Sequence, residues 1–147
     1  MKATHRAAFS LVEITVAIGI VSFSLLTLFA LLPIGLKENQ NSASQTAATS
    51  VLTKVIADLR AAPKANASSG RFGITYGTST TLYFDSEGSS GTTPTSSSRY
   101  RCSINFPPSP AGGKSATFVD VKVTWPATAA VTDAAGSCEM FAAFDRH

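Results

Sequence analysis

Histidine is scarce: His5 and His147 are the only two in 147 residues. Neither lies in the stretch between the first apolar run and the last periodic segment, so that stretch can build no histidine-based triad and no histidine-rich metal site. Charge is thin as well, at 14% of residues, and the formal net charge is +3. Setting aside Lys2 and Arg6 leaves ten basic residues against nine acidic ones, or +1. The sole concentration of arginine is Arg99-Tyr100-Arg101, two cations flanking one aromatic, which fits an exposed strand face better than a nucleic-acid surface built on a patch or stripe. Nucleic acid is not an expected partner. A nucleophile elbow of the form Gly-x-Ser-x-Gly is missing; Gly88-Ser89-Ser90-Gly91 falls one residue short and sits in a Ser/Gly-rich stretch. No glycine-rich phosphate loop with its lysine occurs either. Catalysis, cofactor and metal are therefore not expected. Asp85-Ser86-Glu87 reads as a solvated turn, because calcium wants roughly six to eight oxygen ligands.

One absence is itself informative. Residues 14–36 carry no charged side chain at all, while Glu13 stands immediately before them. At about 1.5 Å of rise per residue these 23 residues make roughly 35 Å of helix, enough to cross a hydrocarbon core of roughly 30 Å. Gly19, Pro33 and the scattered Ser and Thr are tolerated in membrane helices. Residues 1–8 supply Lys2, His5 and Arg6 followed by the small pair Ala7-Ala8. A secretory signal peptide needs a shorter apolar core, about 7–15 residues, with a small-residue cleavage site close behind. Here the nearest such site, Ser42-Ala43-Ser44, lies well past the run. A plain anchor accounts for the length but not for Glu13, since an ionisable group in a spanning helix costs on the order of 2–3 kcal/mol at worst depth and usually has a partner.

A basic leader, a small residue, then Phe9-Ser10-Leu11-Val12-Glu13 and a long apolar helix resembles the N-terminal processing motif of type IV pilins and type II secretion pseudopilins. The match covers about the first 36 residues. The segments Ser10-Leu11-Val12-Glu13 and the Val-rich run to Trp125 are similar to the minor pilin and pseudopilin group named V or I. Leu31-Leu32-Pro33-Ile34-Gly35-Leu36 is similar to small pilin-like proteins of a cassette seen in Verrucomicrobia, the B type. The resemblance implies cleavage by a prepilin peptidase between Ala8 and Phe9, and N-methylation of the new Phe9 amine. One departure is Ala8, where the family usually has glycine before the cut. It also implies that Glu13 pairs with that amine, in its own or a neighbouring subunit, during filament assembly. Opposite charges attract far more strongly at low dielectric than in water, which suits such a docking role. The implied partners are other pilin or pseudopilin subunits, an inner-membrane assembly platform and membrane lipid.

Lys2 and Arg6 before the span, against Lys37 offset at once by Glu38 after it, orient the leader to the cytoplasm and the body outside it. In such an oxidising space Cys102 and Cys138 tend to pair, closing a loop worth roughly 3–4 kcal/mol in the chain-entropy model. Some pilins pin their C-terminal region with a disulfide, so the resemblance leans the same way; two free buried thiols are the alternative.

Past the span, residues 37–50 are polar but free of Gly and Pro, so a helix can continue. Val51, Leu52, Val55, Ile56 and Leu59 then recur at helical spacing until Pro63. One helix over about residues 10–62 follows, bent or loosened near Pro33, lipid-facing first and amphipathic later. Residues 63–70 read as a loop, and Asn66-Ala67-Ser68 is too short a match to a glycosylation acceptor to build on. Phe72, Ile74 and Tyr76 alternate ahead of Leu82-Tyr83-Phe84, which predicts a hairpin. Residues 86–98 are a Ser/Gly/Thr-rich loop; strands are expected at 100–106, 116–125 and 138–144. In the second of these Val119, Val121, Val123 and Trp125 oppose Asp120, Lys122 and Thr124, with Phe118 on the polar face.

The expected fold is α+β: a long N-terminal helix packed on a C-terminal antiparallel sheet of four to five strands, as in the head of a pilin. The chain divides into a leader (1–8), a transmembrane assembly helix (9–36), its amphipathic continuation (37–62) and an extracytoplasmic head (63–147). The expected function is a minor pilin or pseudopilin, in the inner membrane and then in a filament. The rival from another class is a single-pass anchored extracytoplasmic binding domain that never polymerises.

Overall fold

Helix α1 runs over Leu11–Ala61 and continues through Pro33. The computed structural model describes residues 10–63, 65–108 and 116–145. It divides into one unit up to Gln40 and a second from Asn41.

In the first unit α1 is apolar around its whole circumference, and Leu11, Phe23, Leu26 and Phe29 are all exposed. The stretch is long and apolar enough to cross a membrane, and none of its most apolar part is buried. Three of its hydroxyls are satisfied within the helix. Thr15 donates to the Val12 carbonyl at 2.9 Å, Ser24 to Ile20 at 2.8 Å and Thr27 to Ser24 at 2.7 Å. A helix in lipid requires this, because no water is at hand to take those groups.

In the second unit α1 becomes one-sided. Ala48, Val51, Leu52, Val55, Ile56 and Leu59 are buried at spacings of three and four, the stripe that the sequence predicts. They cover one face of a five-stranded antiparallel sheet of β1 (Thr80–Phe84), β2 (Ser90–Gly91), β3 (Tyr100–Asn105), β4 (Ala116–Trp125) and β5 (Gly136–Asp145), in the order β2-β1-β3-β4-β5. The α+β architecture expected from sequence is the one observed. Period-two alternation builds the covered face from Leu82, Phe84, Tyr100, Cys102, Ile104, Val119, Val121 and Val123, all buried. Together with the helical stripe these form one hydrophobic cluster.

Three expectations need correction. Phe72, Ile74 and Tyr76 belong to no strand; only an isolated bridge joins Ser68 to Thr75. Gly73 at φ 64° interrupts the extended backbone. The carboxylate of Asp58 on α1 accepts from the backbone N–H groups of Arg71 (2.8 Å) and Phe72 (3.0 Å), holding them against the helix. The Tyr76 hydroxyl donates to the Leu59 carbonyl at 2.6 Å, satisfying one of the acceptors that the end of a helix leaves free. The alternating residues thus cap and pack the helix end. Strand β2 also lies inside the stretch expected to be all loop, paired with β1 at Tyr83 and Phe84.

The third correction is the disulfide between Cys102 and Cys138; both thiols are free. Cys102 on β3 and Cys138 on β5 each stand opposite Val123 on β4. Their Cα atoms are thus two strand spacings apart, about 9–10 Å, where a disulfide tolerates less than roughly 7 Å. The valine strand runs between them.

Candidate functional site: the apolar helix and its leading carboxylate

Of the residues singled out for processing, Ala8 and Phe9 lie outside the described residues, as does the leader before them. Glu13 is described. It sits in the first turn of α1, exposed, with the Ile14 N–H donating to the Ser10 carbonyl at 3.2 Å. A negative charge there complements the partial positive charge of the helix N-terminus, a favourable term of about 0.3–1 kcal/mol. The next charged side chains along α1 are Lys37 and Glu38. Glu13 is therefore the one ionic marker on the apolar part of the helix among the described residues, and it fixes an axial position on an otherwise featureless surface.

Chemically, the arrangement offers a cylinder of exposed Leu, Ile, Val and Phe with one carboxylate at its edge. Such a surface cannot stay in water. Burying a large aliphatic or aromatic side chain is worth about 1.5–3 kcal/mol, and sixteen such residues between Leu11 and Leu36 are exposed. The stretch has the length and composition of a membrane span.

The head carries less that could react. Burial pushes the Cys102 thiol up to about 12, so it stays protonated at neutral pH. Cys138 is half-buried beside the Thr49 hydroxyl, 3.8 Å away. The Asp85 side chain accepts from the backbone N–H groups of Ser89 (2.8 Å) and Glu87 (2.9 Å), and these bonds, Ser89 first, draw its carboxyl below the usual value. It is the solvated turn that its sequence suggests. Among the described residues no three His, Cys, Asp or Glu side chains come together as metal ligands.

One feature escaped the pattern. Phe118, on the otherwise polar face of β4, stacks on Phe141 of β5 with ring centroids 5.9 Å apart. Its misfit in the alternation was the signal, but the partner could be found only from strand pairing. Comparison with family models, curated proteins and solved structures finds no match for this chain.

Proposed function

We propose that this chain is a minor pilin or pseudopilin, a structural subunit of a type IV pilus or type II secretion-like filament. The observation that carries the reading is the change in α1 between its two units. In the second unit Ala48, Val51, Leu52, Val55, Ile56 and Leu59 are buried against their own sheet, whereas in the first the large apolar side chains from Leu11 to Leu36 are exposed among the described residues. A subunit that first sits in a bilayer and then in a filament core needs that division. Lipid covers the apolar helix in the inner membrane, with the head outside the cytoplasm; neighbouring helices cover it after assembly. Prepilin peptidase would cut between Ala8 and Phe9, and the freed, methylated amine of Phe9 would pair with Glu13 of its own or an adjacent subunit. In a medium of low dielectric an unpaired charge is costly, so the pair sets the axial register of one helix against the next.

Glu13→Val tests this. The variant should be exported and inserted like the parent, yet its share in sheared filaments should fall at least tenfold on immunoblots. Equal incorporation of parent and variant would take the docking role away from Glu13, and absence of the parent itself from sheared filaments would leave an anchored binding domain as the better account.

A further inference from the structure

From the free edge of the sheet we infer that β5 accepts an extended basic segment of another protein as a sixth strand. The two ends of the sheet differ. At one end β2 is only two residues long; at the other β5 runs for ten. All ten residues of β5 pair one-to-one with β4, so no bulge turns the strand aside. Among the described residues nothing pairs with its outer edge, which leaves a row of backbone N–H and C=O groups. Edges are ordinarily guarded by Lys, Pro, a bulge or shortness. Residues Gly136–Asp145 contain neither Lys, Arg nor Pro, and the strand is long and regular.

The side chains point to the same use. Among the described residues of the head, the exposed large apolar ones are Val131, Met140 and Phe141, and the last two stand side by side on β5, one on each face. An added strand would be held by both. Its charge preference follows from the face turned away from α1. There Lys122 is taken by Glu139 at 3.1 Å. Asp120, directly opposite Phe141, keeps one covered carboxylate oxygen with no hydrogen-bond partner. A lysine or arginine on the incoming strand opposite Phe141 would lay its stem over the ring, 61% exposed, and bring its charge toward Asp120. The occupant is thus an extended segment alternating apolar and basic residues, bound through its backbone. This inference does not depend on the fate of the apolar helix.

The test uses the full chain in detergent micelles and a fluorescein-labelled nine-residue peptide alternating valine and lysine, read by fluorescence anisotropy. Saturable binding is expected. N-methylating every backbone amide of the peptide keeps its charge but removes its donors, and should weaken binding at least tenfold. Asp120→Asn and Phe141→Ala should each weaken the lysine peptide at least threefold. Asp120→Asn should leave a peptide with norleucine in place of lysine unchanged, whereas Phe141→Ala should weaken that peptide too, because its stem lies on the same ring; an unaltered Trp125 emission spectrum would show that the head is folded. Absence of binding overturns the inference, as does equal binding of plain and methylated peptides, which would mean charge attraction alone. Self-association of the chain abolished by Phe141→Lys, with no peptide bound, would overturn it in favour of a contact between copies.

Discussion

Gly136 stands opposite Trp125, and a Cβ there would overlap the six-membered ring of the indole. The overlapped atoms belong to a large ring that also meets Tyr100 edge-on, centroids 6.4 Å apart, so it has little room to yield. Gly136→Ala should therefore destabilise the head by about 1–3 kcal/mol, the usual penalty of overpacking. Urea unfolding followed through Trp125, the one tryptophan in the chain, reads it directly. The cysteines make a second residue-level prediction. With Cys102 buried and its thiol near 12, iodoacetamide at pH 8 should modify Cys138 and spare Cys102 until the head unfolds. Non-reducing denaturation should release two thiols per chain; release of none would restore the disulfide. That pairing was misjudged because compartment and cysteine count say nothing of strand order. Only the placing of β4 between β3 and β5 shows that Val123 intervenes.

At the scale of elements, the division of α1 has a measurable consequence. Leu52 is fully buried, and Leu52→Ala should cost about 2–5 kcal/mol of head stability. Leu26, exposed in the first unit, should give no change in the same unfolding curve when replaced by alanine. Asp58→Ala should cost about 1–3 kcal/mol by leaving the Arg71 and Phe72 N–H groups without their acceptor. Equal effects from Leu52 and Leu26 would show that the two halves do not differ in this way. Much of this was legible beforehand. The stripe from Val51 to Leu59 repeats with the period of a helix, and β4 alternates from Val119 to Val123 before Pro126 ends it. Segment 72–76 misled because its alternation is that of a strand, while its conformation comes from a left-handed Gly73 and a carboxylate on a distant turn of α1. Phe118 was legible only as a misfit, since its partner Phe141 comes from the register of β5.

At the scale of the whole molecule, α1 contributes to the core in the second unit and exposes its apolar residues in the first. The length of the apolar stretch suits a single membrane crossing, and the position of Glu13 suits a register mark. The two together suit a subunit that leaves the membrane for a filament, where an ordinary anchor would need only the first. The decisive difference lies in whether the chain is cut ahead of Phe9. Intact and N-terminal peptide mass spectrometry of the membrane-extracted protein decides it. A filament subunit predicts a mature chain that begins at N-methylated Phe9, with Glu13 as its fifth residue; a chain that still begins at Met1 would contradict the account.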